Sequence, residues 1–411
     1  MIESNVKSYC KSFPITFVKA KDEFMYGQNG EKYIDFFAGA GALNYGHNND
    51  ELKKELLNYI ESDYITHGLD LATSAREEFL NTFNEKILKP RSLDYVVQFT
   101  SPSGTNANEA ALKLAKKYTK RRTIFSFTGG FHGMSEASLA LTGNSYFRDS
   151  IPMSSSDVVF VPFETGFMTN LDSIAYIEAL LSDPSSGVDI PAAMILETVQ
   201  AEGGIQIASV KWLQEVRRVC DKYEILLIAD EVQVGCGRTG SFFSFEESKI
   251  VPDIVTVSKS ISGYGLPMAI VLFKPELDCW TPAQHNGTFR GNQHAFVTAK
   301  KALELREDVN MDLLVAEKSQ LAINYLQKEL NEFPMIDIRG RGLIIGIDFS
   351  QINNDLAKEV SRLCFKNGLI IECAGRYDEV LKILPALLIS NESLLEGLSI
   401  IVKSIKEILH D

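Results

Sequence analysis

A few short stretches carry residue types that could do chemistry together. Ser103-Gly104-Thr105, in SPSGTN, stands where a helix would open near Asn106. Free backbone N–H groups, two hydroxyls and the positive helix end would there make a cradle for a phosphate. Taken alone, ordinary N-capping by Ser or Thr is the commoner explanation. Phe131-His132 follows an apolar run and a Gly-Gly turn. It offers an aromatic plate for a flat ring, although core packing is the more usual role of such a phenylalanine. Asp230 ends the apolar stretch from Ile225 to Ala229, where an unpaired carboxylate is costly. It needs a cationic partner, either Arg238 or a protonated ligand nitrogen. Lys259 stands at the end of the run IVTVSK, and the ordinary place for a lysine is the surface.

These readings constrain one another. A phosphate cradle, an aromatic plate, a buried acid and a lysine at one edge describe a site for pyridoxal 5′-phosphate. The lysine would anchor the cofactor covalently, and the acid would keep the ring nitrogen protonated so that the ring can withdraw electrons.

The elements that must hold them are legible in the hydrophobic pattern. YVVQFT, TIFSFT, VVFVPF, AAMILET, ILLIADEV and DIVTVS alternate with helical stretches such as NANEAALKLAKKYTK and SVKWLQEVRRVCDKY. The strands are apolar on both faces, as in a parallel sheet covered by helices on both sides. Ligands gather at the carboxyl ends of such strands. Those ends here are SPSGTN, GGFHG, ETVQAEGG with Glu197 and Glu202, DEVQVGCGRTG and SKSISGYG.

The expected fold is α/β, a large unit with a mostly parallel sheet plus a smaller α+β unit built from both chain ends. Residues 1–50 would be the N-terminal part of the small unit, 51–305 the large cofactor-binding unit, and 306–411 the C-terminal part. ITFVKAKDEFMY and KYIDFFAG, around a QNGE turn, predict a hairpin. One helix from about 296 to 331 is expected to pass between the units.

Composition narrows the function. Across 411 residues, 45% are hydrophobic and 23% charged, a globular balance. The net charge of −13 argues against a nucleic-acid binder, which would carry a basic stripe. The opening MIESNVKSYCKSF holds no apolar core of signal-peptide length, and no run reaches the ~20 apolar residues of a membrane span. Six cysteines without a CxxC pair predict reduced thiols in the cytosol. Histidines lack metal-ligand spacing, so no metal site is expected.

From FFAGAGALNYGH to the last helix the chain resembles the class III aminotransferases, fold-type I enzymes that use pyridoxal 5′-phosphate. DEVQVGCGRTG and VPDIVTVSKSISGYGLP carry the resemblance most specifically. It implies that Lys259 is the cofactor-anchoring lysine and proton shuttle, and that Asp230 is the partner of the ring nitrogen. Val232 and Phe131 would pack on the two ring faces, with Gln233 near the ring hydroxyl oxygen. Gly104 and Thr105 would hold the phosphate, joined by Thr288 of GTFRGN from a neighbouring subunit, so the family's assembly implies a homodimer or higher. Ser103, His132 and Glu197 complete the candidate cofactor shell.

The stretches YCKSFPITFVKAK, AGAGALNYGHNN, THGLDLATSA and HNGTFRGN are similar to those of family members that interconvert L-aspartate 4-semialdehyde plus L-glutamate with L-2,4-diaminobutyrate plus 2-oxoglutarate. That likeness implies these substrates and an outlet in ectoine or another diaminobutyrate product. Members acting on ornithine, acetylornithine or 4-aminobutyrate are the alternative. Two positions depart from wider family habit. Met134 stands where many ω-aminotransferases carry an arginine for a distal carboxylate. Lys382 stands where many relatives carry an arginine for the α-carboxylate of glutamate. Glu202 matches the family's switch glutamate, and a Glu202–Lys382 pair is expected.

Overall fold

The computed structural model describes residues 2–149, 157–166 and 170–410. Its centre is a seven-stranded sheet in the order Val96–Phe99, Ile270–Phe273, Ile254–Val257, Leu226–Asp230, Ala193–Leu196, Ile124–Phe127, Val158–Val161. Only Ile270–Phe273 runs against its neighbours. Alternate residues of one strand enter different apolar clusters. Val255 and Val257 face one, with Phe125, Leu227 and Trp212, while Ile254 faces the other, with Ala110, Ala111 and Leu114. Both sheet faces are therefore covered, which is why these strands are apolar throughout rather than alternating.

The covering helices bury what their periodicity predicts. Val210–Lys222 turns Trp212, Leu213, Val216, Val219 and Cys220 inward, at the spacing of one helix face. Gly104–Thr119 presents Ala107, Ala110, Ala111, Leu114 and Ala115, mostly alanines, which let it lie close on the sheet.

The chain ends meet in a separate cluster that includes Ile34, Phe36, Ile345, Leu381 and Ile401. Phe17–Lys21, Phe24–Gly27 and Lys32–Asp35 form an antiparallel meander, and Leu369–Ile370 joins its last strand in parallel. Beside it, Asp337–Arg341, Ile344–Asp348, Val380–Ile383 and Glu372–Ala374 form an antiparallel sheet.

Three details differ from the sequence reading. The expected N-terminal hairpin is a three-stranded meander, because ITFVKAKDEFMY itself turns at Asp22, whose φ is 51°. The single helix expected over 296–331 is two, Gln293–Asp308 and Met311–Glu329, separated where Asn310 adopts φ 47° and ψ 61°. Asparagine tolerates that left-handed conformation better than most residues, so the break is locally encoded. The strand Ile270–Phe273 was not foreseen. The connection to it carries the short 3-10 helix Lys259–Ser262 and no α-helix, so it falls outside the strand–helix alternation that marks the others.

Candidate active site

Because the neighbouring strands are parallel, their carboxyl ends bring the sequence-predicted residues to one edge. Asp230 is the last residue of its strand and is buried. Its Oδ2 accepts from Asn108 Nδ2 and from His132 Nδ1, each at 2.8 Å, and its Oδ1 accepts from the Val232 N–H at 3.1 Å. The Thr256 hydroxyl lies 3.4 Å from Oδ1 but gives its hydrogen to Asn108 Oδ1 at 2.7 Å. One acceptor position on Oδ1 is thus left for a further donor. Arg238 is not the partner of Asp230. Its buried guanidinium donates instead to the carbonyls of Leu343 and Pro385 and to Asn44 Oδ1.

His132 is held on both sides. Its N–H donates to Thr142 Oγ1, and its carbonyl accepts from Asn108. Burial pulls the imidazole pKa down, and adjacent Asp230 more than offsets this, leaving it raised. His132 Nε2 is buried without a partner among the described residues. Phe131 is half-buried, edge-on to Phe147 with centroids 5.4 Å apart, and its N–H donates to Glu197 Oε2 at 2.9 Å. Burial pushes the Glu197 carboxyl up to about 8.

Ser103 does not cap the helix with its side chain; its hydroxyl donates to Asn106 Oδ1 at 2.7 Å. The N–H groups of Gly104 and Thr105 have no partner among the described residues, so the positive helix end stays open. A Cβ on Gly104 would lie 2.6 Å from Val232 Cγ1, so glycine is what lets the helix start approach that side chain. The Thr105 hydroxyl faces Ser135 Oγ.

Lys259 follows Ser258, whose hydroxyl is fixed on the Met268 carbonyl. It adopts φ 47°, a conformation that costs a non-glycine residue about 1–3 kcal/mol and recurs at functional sites. Its Nζ makes no hydrogen bond or ion pair among the described residues. Burial lowers its pKa, against the raising influence of Glu202, Glu372 and Asp230. Ser260 anchors the turn by donating to the Gly41 carbonyl at 2.7 Å.

A family model for class III aminotransferases matches residues 6–405. The chain belongs to the class III aminotransferases. It is 52% identical over 410 residues to a diaminobutyrate–2-oxoglutarate transaminase of Halalkalibacterium halodurans, covering 99% of this chain and 96% of that one. It is also 52% identical over 409 residues to one of Vibrio parahaemolyticus, with coverage of 99% and 96%. Among solved structures, an aminotransferase of Bacillus anthracis aligns with a TM-score of 0.87 at 26% identity, over 99% of this chain and 96% of that one. An ornithine aminotransferase of Toxoplasma gondii shares the fold at a TM-score of 0.85 and 22% identity, over 100% and 92%.

In this class III aminotransferase the expected Glu202–Lys382 pair is formed, with Lys382 Nζ 2.6 Å from Glu202 Oε1. Burial raises the Glu202 carboxyl, but Lys382 and Lys259 outweigh it and leave the pKa lowered. Gln233 lies beside the same group, its amide donating to the Ala40 carbonyl at 3.2 Å and adding to the lowering of the Glu202 carboxyl. Thr288 lies on an exposed loop, and Met134 is likewise exposed.

Sequence reasoning missed Asn108, Thr256 and Glu372. Each left the same kind of signal as Asp230, a polar residue inside an apolar pattern. Asn108 sits on the alanine-rich buried face, Thr256 inside IVTV, and Glu372 inside IIECA.

Proposed function

We propose that this chain is a diaminobutyrate–2-oxoglutarate transaminase, interconverting L-aspartate 4-semialdehyde and L-glutamate with L-2,4-diaminobutyrate and 2-oxoglutarate. The observation that carries the reaction type is Lys259, a lysine of lowered pKa with no bonded partner among the described residues, at the edge that also holds Asp230. The substrate pair rests on identity near 50% to transaminases of that name along almost the whole chain.

The residues present fit pyridoxal 5′-phosphate. The open N–H groups of Gly104 and Thr105 suit its phosphate, the spare acceptor position of Asp230 suits a protonated ring nitrogen, and half-buried Val232 and Phe131 would pack on the ring faces. Ser103, His132, Glu197 and Gln233 complete the shell, and Lys259 is the covalent anchor. When bound, the cofactor supplies an electron sink for the substrate carbon that loses its proton. Lys259 Nζ, favoured as a neutral amine by burial, takes that proton and delivers it elsewhere. Asp230, oriented by Asn108 and His132, holds the proton on the nitrogen facing it.

Glu202 neutralises Lys382 while the amine without a carboxylate at that place reacts. It yields Lys382 to the α-carboxylate of L-glutamate in the other half-reaction. The reading extends to a cytosolic homodimer, with Thr288 reaching the partner's phosphate site and residues 51–305 forming the cofactor-binding unit. The product would feed ectoine or another diaminobutyrate derivative.

A half-reaction screen on the cofactor-loaded protein tests the substrate. L-2,4-diaminobutyrate should exceed ornithine and 4-aminobutyrate by about tenfold or more in kcat/KM. The opposite order would replace this reading with an ornithine- or 4-aminobutyrate-type activity.

A further inference from the structure

Lys382 has a second carboxylate. Its Nζ lies 3.0 Å from Glu372 Oε1 as well as 2.6 Å from Glu202 Oε1. The lysine side chain is 0% exposed, Glu372 7% and Glu202 26%, so only Glu202 has a way out toward solvent. The backbone makes the same distinction. Glu372 stands directly opposite Lys382 in an antiparallel ladder, while the residue on the other side of Lys382 is Gly346, which adds no side chain. The Tyr9 hydroxyl holds the other oxygen of Glu372 at 3.4 Å, and the Tyr9 ring leans on Phe37 with centroids 4.8 Å apart. Glu202 instead comes from the turn of the short hairpin Val199–Gln200 and Gln206–Ile207.

We propose that Glu372 is a positioning residue that holds Lys382 in place when Glu202 leaves it, and so lets a lysine serve as the receptor for the α-carboxylate of L-glutamate. The inference rests on the aminotransferase reading. An arginine at this place would bring a planar fork that stays aimed by itself. A lysine is a point charge on a flexible stem and needs a second anchor. Charge counting gives the same answer. When Glu202 departs, Lys382 and Glu372 remain a neutral pair, and the arriving carboxylate restores the original count of two acids to one base. Without Glu372 the departure would strand a buried, unpaired cation, which a protein avoids by neutralising or withdrawing it. With the diamine bound, Glu202 stays on Lys382, so the demand on Glu372 is smaller.

The test compares both half-reactions of the cofactor-loaded wild type with Glu372→Gln and Glu372→Asp. In Glu372→Gln the saturation constant for L-glutamate should rise at least tenfold more than that for L-2,4-diaminobutyrate, with the limiting rate for glutamate within about threefold of wild type. Glu372→Asp, which keeps the charge, should shift the same constant less. Calorimetric titration with glutarate, which has no amine to react, should show a parallel loss of affinity. Equal losses for both amines, or an unchanged glutamate constant, would overturn the role of Glu372 while leaving the enzyme an aminotransferase. A wild type inert toward L-glutamate and every other amine would overturn the functional reading, and this inference with it.

Discussion

Lys259 and Asp230 differ in how the chain has prepared them. Asp230 is surrounded by donors from three elements, Asn108 on a helix, His132 on a loop and the Val232 N–H beyond its own strand. Lys259 has no bonded partner among the described residues and sits in a left-handed backbone conformation. A fixed acid and a free amine are what proton transfer beside a bound ring requires. Both were legible in the sequence, because each interrupts an apolar run at a strand end. The choice of partner for Asp230 was not. Arg238 is near in sequence, but it is turned away into the carbonyls of Leu343 and Pro385, which only the fold brings to it.

The protonation of Glu197 has a consequence for stability against pH. Burial, reinforced by Asp230 and only partly offset by His132, holds its carboxyl at about 8 in the folded chain, against 4.5 when unperturbed. The folded chain keeps this proton after the unfolded chain has lost it. Its contribution to stability is therefore full below about pH 4.5 and is lost as pH rises to about 8. Thermal midpoints of the wild type should fall across that window, and those of Glu197→Gln should fall less steeply. Parallel profiles would show that Glu197 does not hold the proton.

At the scale of elements, the helix Gly104–Thr119 is the part most sensitive to a single atom. An alanine at position 104 would place its Cβ 2.6 Å from Val232 Cγ1, so one of the two must shift, at a cost of about 1–3 kcal/mol. Gly104→Ala should lower thermal stability and weaken pyridoxal phosphate binding in a fluorescence titration. Unchanged cofactor affinity would mean that the anion sits elsewhere. The helix and the strands around it were legible because their apolar patterns follow two simple periods. Ile270–Phe273 escaped because a short apolar run, AIVLF, announces neither the direction of its strand nor its place between two others. The break at Asn310 escaped because apolar spacing continues on both sides of it, through Leu303, Leu305, Met311 and Val315.

For the whole molecule, the question is what covers the surface near Thr288. Tyr64, Ile65, Leu71 and Phe289 are exposed large apolar residues on the segments around it, where His67 and Phe289 meet edge-on. Arg290 of the same loop approaches Asp70 at 3.8 Å. A second copy of the chain would bury this surface and bring Thr288 to the partner's phosphate cradle. Sedimentation should therefore give a dimer. Thr288→Ala should raise the apparent Kd for pyridoxal phosphate about tenfold, as loss of a hydrogen bond to a charged group does, without dissociating the dimer. A monomer, or unchanged cofactor affinity in the variant, would contradict this arrangement. The sharing of one sheet by Lys32–Asp35 and Leu369–Ile370 was not legible in the sequence, since nothing local links strands so far apart.

The proposed reaction turns on the amine of Lys259. The most direct measurement is the visible absorbance of the protein with pyridoxal phosphate, before and after L-glutamate, for the wild type and Lys259→Ala. The wild type should be yellow and bleach with glutamate, while the variant should lack the lysine-bound band and essentially all turnover. A variant that keeps both the band and the turnover would show that Lys259 is not that amine.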